Sequence, residues 1–166
     1  MEDATDKSGL PPVTLGDLKG AVGEEIGVSR WHDVTQDVIN SFADATEDHN
    51  FIHVDPASAA KTQFKGTIAH GFFSLSMLSV FAYEALAPLE GRKMGVNHGF
   101  ENIRFVSPVP VGSRIRGRFT LANLKIRPSG YVQMTYQATI DIENNQKPAL
   151  VAEWHTIAVM EEGVVA

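Results

Sequence analysis

Residues 72–87, Phe-Phe-Ser-Leu-Ser-Met-Leu-Ser-Val-Phe-Ala-Tyr-Glu-Ala-Leu-Ala, constrain the fold more than any other stretch. Laid on a helix, their apolar side chains point in almost every direction. A helix apolar all round belongs in a core, enclosed on most sides. It is not a membrane span. The run Ile68 to Leu89 carries His70, Ser74, Ser76, Ser79, Tyr83 and Glu84 and is broken by Pro88, whereas a spanning helix needs about 20 residues with few polar groups.

Beyond this helix the period changes from helix to strand. Phe100 to Val106 reads as a strand ending at Pro108. In Arg114 to Leu121, Ile115, Gly117, Phe119 and Leu121 share one face, while Arg114, Arg116, Arg118 and Thr120 share the other. From Tyr131 to Ile142 the alternation is cleaner: Val132, Met134, Tyr136, Ala138, Ile140 and Ile142 against Tyr131, Gln133, Thr135, Gln137, Thr139 and Asp141. Leu150 to Met160 is a last strand, and 127–130 and 143–148 are the turns. Period-two patterning of this kind gives antiparallel strands with one wetted face. One very apolar helix and one half-buried sheet combine most economically when the sheet curls around the helix. The expected class is α+β, and its edge strands invite pairing with a second copy.

The first half is richer in helix signals. Glu24 to Trp31 reads as a first strand. Thr35 can cap a helix whose Val38, Ile39, Phe42 and Ala45 share a face and which ends near Thr46. Residues 46–56 match neither period and read as a structured loop. Pro56 opens a short helix to Thr62, since proline suits the first helical turn. Residues 1–12 read as a mobile tail and 13–166 as one domain, a size that encloses a core without disulfides or metals.

With 14 Lys+Arg against 20 Asp+Glu the formal charge is −6, which argues against nucleic acid or an anionic membrane as the main partner. Without cysteine there is no thiolate catalysis and no Cys-ligated metal. The acidic, polar start lacks the features of an export signal, so a cytoplasmic place is expected.

Asp48 and His53 are the first candidates for chemistry. A carboxylate and an imidazole converging on one water can activate it and return a proton. By spacing alone, a pair of solvated loop residues is the favoured reading. His70-Gly71 precedes the core helix, whose N-terminus offers free N–H groups. Gly71 lets an oxygen approach closely, as an oxyanion hole needs, or it is an ordinary loop-to-helix glycine. His49 and His53, with Asp44, Asp48 and Asp55, suggest a metal only weakly, because no HExxH-type motif accompanies them. Glu84 reads as a solvent-reaching helix end, and the Arg114, Arg116, Arg118 stripe as a solvated sheet face. No glycine-rich phosphate loop and no Gly-x-Ser-x-Gly elbow is present.

Phe42-Ala-Asp-Ala-Thr-Glu-Asp48-His-Asn50-Phe-Ile-His53-Val-Asp-Pro56, together with Gly66-Thr-Ile-Ala-His70-Gly71, resembles the MaoC-like dehydratases, or (R)-specific enoyl-CoA hydratases (hydratase 2), in their NodN-like branch. Asn102-Ile-Arg104-Phe105-x-x-Pro108-Val109-x-x-Gly112 resembles the family's later strand signature. The likeness spans most of residues 15–160. It implies a hot-dog fold, a homodimer joined through sheet edges, and reversible syn addition of water to a trans-2-enoyl-CoA. It implies Asp48 and His53 as catalytic residues, the Gly71 N–H as oxyanion donor, and Asn50 as a loop-holding residue. Phe51, Phe72 and Phe73 are expected to line the acyl tunnel, with His70 also among the substrate-binding residues. No metal or cofactor is implied, coenzyme A arriving as part of the substrate. The chain departs from the family at Glu47, where glycine is common, and at Phe51, where many members have proline. Alternatives are a hot-dog acyl-CoA thioesterase, for which Glu84 is the one helical carboxylate, and a non-catalytic acyl-CoA-binding domain.

Overall fold

The structure is a computed structural model that describes residues 7–163. Five strand segments follow one another along a single sheet: β1 (Glu25–Val28), β4 (Arg114–Ile126), β5 (Val132–Ile142), β6 (Leu150–Met160) and β3 (Arg92–Phe105), in that spatial order. A two-residue β2 (His32–Asp33) also pairs with β4. Every pairing among these strands is antiparallel. The helices are α1 (Leu15–Gly20), α2 (Gln36–Thr46), α3 (Phe51–Val54), α4 (Pro56–Ala59) and α5 (Gly71–Ala85).

α5 is the core helix, and the sheet wraps it: this is the hot-dog arrangement. Phe73, Ser74, Leu78, Phe81 and Ala85 are its buried residues. The sheet's inner face is the set expected from alternation. Ile115, Phe119, Leu121, Val132, Met134, Tyr136, Ala138, Ile140 and Ile142 are all buried. Two glycines let α5 lie very close to this face. A Cβ on Gly27 would stand 2.2 Å from the Ala85 carbonyl oxygen, and one on Gly117 would stand 2.6 Å from Phe81 Cβ. The alternation on β4 therefore has a glycine where the helix leaves no room for a side chain.

α5 is less enclosed than its composition suggests. Phe72 is 68% exposed, and Tyr83 also faces out. Along the outer edge of β3, Met94, Val96 and Phe105 are exposed as well.

Several boundaries differ from the sequence reading. The strand expected over Glu24 to Trp31 is confined to β1, and β2 follows it after the irregular Ser29–Trp31. α4 ends at Ala59 and does not reach Thr62. The loop expected over 46–56 contains the single turn of α3, capped by Asn50. β3 begins at Arg92, well before Phe100, because β6 supplies its pairing from Arg92↔Met160 to Phe105↔Leu150. Of the tail expected over 1–12, residues 1–6 lie outside the described residues. The Lys7 N–H donates to the Tyr83 carbonyl at 2.9 Å, and Val13 pairs with Leu89.

The arginine stripe is matched by carboxylates on neighbouring segments. Arg114 bonds Glu143, Arg116 bonds Asp141 and lies over the Trp31 ring, and Arg118 bonds Glu25. Such solvent-facing pairs contribute little to stability. Among the described residues no helix is long and apolar enough to cross a membrane.

Candidate active site

Three short segments build the site. The first is the link from α2 to α3. α2 ends at Glu47 in the left-handed conformation (φ 59°, ψ 17°), which turns the chain so that Asp48 follows outside the helix. The Asp48 carboxylate accepts from the Asn50 N–H at 3.3 Å, and the Asn50 side chain accepts from the Ile52 N–H. Asn50 thus caps α3, which delivers His53 inward.

The second segment is the extended run Thr67–Ala69. The Ala69 N–H donates to Val109 O at 2.8 Å, and the Val111 N–H donates to Thr67 O at 2.9 Å. The Ile68 N–H donates to Ile52 O at 3.1 Å, which ties this run to α3. Gln36, at the start of α2, binds both pieces. Its amide nitrogen donates to His53 O at 2.8 Å, and its oxygen accepts from the Thr67 hydroxyl at 2.6 Å.

The third is the α5 N-terminus. His70 occupies the N-cap position without capping the helix through its side chain. The first N–H of the helix, that of Gly71, is therefore not taken by a capping side chain. A Cβ on Gly71 would meet the Phe105 ring at 3.0 Å, so glycine keeps this corner narrow and its N–H reachable.

His53 and His70 meet where these segments join. Their rings stack with centroids 3.8 Å apart and planes 26° from parallel. The bonds settle their tautomers, because a carbonyl can only accept. His53 Nδ1 is 2.7 Å from Ile68 O, so Nδ1 carries the proton and Nε2 holds the lone pair. His70 Nε2 is 2.9 Å from Asp48 O, so there the proton is on Nε2. Burial is the main cause that pushes His53 below its ordinary pKa, and His70 beside it adds to the effect. The Ile68 carbonyl and Asp48 act the other way, more weakly. His53 is consequently neutral near pH 7, ready to accept at Nε2.

A ligating atom from each of Asp48, His53 and His70 falls within 4.8 Å of the others. Asp48 is exposed, while His53 and His70 are buried. Such a trio could gather a metal, although His53 Nδ1 and His70 Nε2 are already engaged by carbonyls. Glu101, Glu153 and His155 form a second such group. His49 stands apart, at the surface, bonded to Asp44 at 2.9 Å. That bond is the main cause raising its pKa.

Other expected site residues are placed as follows. Phe73 is buried in the core, with its ring against Phe42. Phe51 and Phe72 are exposed, and Phe72 meets Phe105 edge-on. His70 is 2% exposed. Glu84 is not at a solvent-reaching end: its side chain is 6% exposed, and its carboxylate accepts from His32 at 2.9 Å and from Arg30 at 2.8 Å. Burial alone would raise its pKa, but these two bonds outweigh burial and leave it below the ordinary glutamate value.

A cavity of about 500 Å³ opens farther along α5. Ser79, Ala82 and Leu86 line it from the helix, and Met134, Tyr136 and Trp154 from the sheet. The sequence carries no signal for it, nor for Gln36, whose partners His53 and Thr67 lie in other segments.

A family model described as the MaoC-like domain matches residues 17–141. The chain belongs to the MaoC-like dehydratase family. This MaoC-like dehydratase is an enzyme of the hydro-lyase kind. It is 46% identical to nodulation protein N of Rhizobium meliloti over 147 residues, covering 88% of this chain and 91% of the relative. It is 44% identical to 3-hydroxyacyl-thioester dehydratase Z of Mycobacterium tuberculosis over 140 residues, covering 84% and 92%. Among solved structures, the R-hydratase PhaJ1 of Pseudomonas aeruginosa aligns with a TM-score of 0.65 at 26% identity, covering 84% of this chain and 83% of that one.

Proposed function

We propose that the protein adds water reversibly, in syn fashion, across the double bond of a trans-2-enoyl-CoA to give the (3R)-hydroxyacyl-CoA. The observation that carries this is the convergence of the Asp48 carboxylate and the His53 imidazole at the corner where the α5 N-terminus begins. The names of the dehydratase and R-hydratase relatives support it.

One water lies between Asp48 and His53 in this reading, donating one hydrogen to His53 Nε2 and the other to the Asp48 carboxylate. The water oxygen bonds to C3 as its proton passes to Asp48. The π electrons of the C2–C3 bond move toward C1, and enolate charge builds on the thioester oxygen. The Gly71 N–H donates to that oxygen, a bond that strengthens as the charge develops. The proton on Asp48 then passes to C2 from the face that received the hydroxyl, and the thioester carbonyl re-forms. This chemistry calls on no metal or redox group.

The acyl chain is proposed to run along α5 from Gly71 toward the cavity at Ser79 and Ala82. Eight residues of helix separate Gly71 from Ser79, about 12 Å at 1.5 Å per residue. A four-carbon chain stops short of the cavity, and a medium-length chain fills it. We further propose a homodimer, supported by the apolar, exposed outer edge of β3 with Met94, Val96 and Phe105. A cytoplasmic place of work suits a coenzyme A thioester substrate.

The thioesterase reading loses its carboxylate, since Glu84 is held by His32 and Arg30 and lies 13 residues of helix, about 20 Å, from Gly71. The test is the loss of enoyl-thioester absorbance with crotonyl-CoA and with a ten-carbon enoyl-CoA, beside Asp48→Asn. Loss with the wild-type protein alone supports the hydratase. Tight acyl-CoA binding with no loss on either substrate would replace it with a binding domain.

A further inference from the structure

His70 was expected among the substrate-binding residues, yet its ring is 2% exposed and has neighbours on several sides. One edge donates from Nε2 to the Asp48 carbonyl at 2.9 Å. One face carries the His53 ring at 3.8 Å. Phe42 stands 5.1 Å away, tilted by 52°. Its backbone leads directly into Gly71 as the N-cap of α5. The remaining ring nitrogen, Nδ1, is buried and makes no hydrogen bond.

That orphaned nitrogen is informative. The ring's Nε2 proton is committed to Asp48 O, and Nδ1 faces no partner. A buried polar atom left unpaired costs about 1–3 kcal/mol, and a phenyl ring would fill the same space without that penalty. Filling space is thus a poor account of a histidine here.

We infer that His70 is a positioning residue that sets Asp48 and His53 at a fixed distance from the Gly71 N–H. This rests on the hydratase reading of the site. The tie works through two separate contacts. The hydrogen bond holds the backbone of Asp48, whose side chain is exposed and accepts a long bond from the Asn50 N–H at 3.3 Å. The stack holds the plane of the His53 ring, already pinned at Nδ1 by Ile68 O. His70 belongs covalently to the oxyanion corner, so both proton-handling groups are referenced to the same point as the thioester oxygen. Displacing a catalytic group by about 1 Å costs up to about 100-fold in rate.

The test uses the full chain with His70→Phe and His70→Gln. Phenylalanine keeps the stack and loses the donor. Glutamine keeps a donor at the reach of Nε2 and loses the ring. Both variants should bind butyryl-CoA with a Kd close to that of the wild-type protein, because His70 does not touch substrate. The kcat for crotonyl-CoA or the ten-carbon enoyl-CoA should fall about 10–100-fold in His70→Phe and by less in His70→Gln, with KM little changed. A His70→Phe protein with wild-type kcat would overturn the inference, and so would a rise in Kd or KM with kcat unchanged. A second readout needs no turnover. Ring ¹⁵N spectra of the histidine-labelled wild-type protein should show the His70 proton on Nε2, in a hydrogen bond, and the amide signals of residues 48–53 should shift or broaden in both variants. A His70 without a proton on Nε2, or unchanged amides, would refute the tie. If the wild-type protein hydrates nothing while these spectra come out as expected, the hydratase reading fails and the positioning contacts stand.

Discussion

Glu47 is the place where one substitution should improve the protein, and the reason is conformational. It closes α2 with φ 59° and ψ 17°, a left-handed geometry that brings Cβ against the following carbonyl. For an L-residue this costs about 1–2 kcal/mol, and for glycine nothing. Glu47→Gly also gains freedom in the unfolded chain, which takes back about 0.4–1 kcal/mol. The net expectation is a gain of about 0.5–1 kcal/mol, or a rise in Tm of about 1–4 °C for a chain of this size. Urea and thermal unfolding measure it directly. Glu47→Ala is the necessary control, because it removes the carboxylate and keeps Cβ. Removing a negative charge from a helix C-terminus is worth only a few tenths of a kcal/mol, so alanine should move stability little. Equal gains from alanine and glycine would refute the conformational argument in favour of charge. A loss with glycine would refute it outright. The hydration rate should be unchanged in Glu47→Gly, since glycine permits the turn that presents Asp48.

Three further expectations concern the site. Gly71→Ala places a methyl 3.0 Å from the Phe105 ring; the half-exposed ring can shift, so Tm should hold while kcat/KM falls about tenfold through a crowded oxyanion donor. Burial holds the His53 pKa below its ordinary value, so His53 favours the folded state fully above about pH 6.5 and progressively less as pH falls through the lowered folded pKa. Unfolding free energy of wild type minus His53→Gln should decline across that window, and an acid limb of hydration centred above pH 6.5 would contradict it. Ala82→Leu should reduce kcat/KM for a ten-carbon enoyl-CoA about tenfold by filling the cavity, and leave crotonyl-CoA unaffected; equal losses on both would place the acyl chain elsewhere.

The parts of this molecule legible in the sequence are those governed by local period or by an ordered motif. α5, β4, β5 and β6 follow directly from apolar spacing. Asp48, Asn50 and His53 lie within six residues, so their likeness to a family survives reading along the chain. What escaped depends on distant partners. Arg92–Gly99 contains Gly95, Asn97, His98 and Gly99, a poor strand composition, and becomes strand because β6 offers its edge. Glu84 resembles a surface charge until His32 and Arg30, more than 50 residues earlier, arrive beside it. The single turn of α3 is too short to show a period. His70 reads as a ligand contact because its real partners, the Asp48 carbonyl and the His53 ring, belong to another segment.

The close approach of α5 to Gly27 and Gly117 has a consequence for how the enzyme can change. With the Ala85 carbonyl and Phe81 Cβ set against bare glycine backbone, the helix has no freedom to roll on the sheet. Its angular phase is locked at the C-terminal end, while Gly71, the proposed oxyanion donor, sits at the other. One residue inserted between Gly71 and Ser79 would twist the two ends apart by about 100°. Four would come within about 40° of a full turn and add about 6 Å of length. Chain-length specificity in such a frame can therefore drift gradually through side chains, but through the backbone it can move only in whole turns.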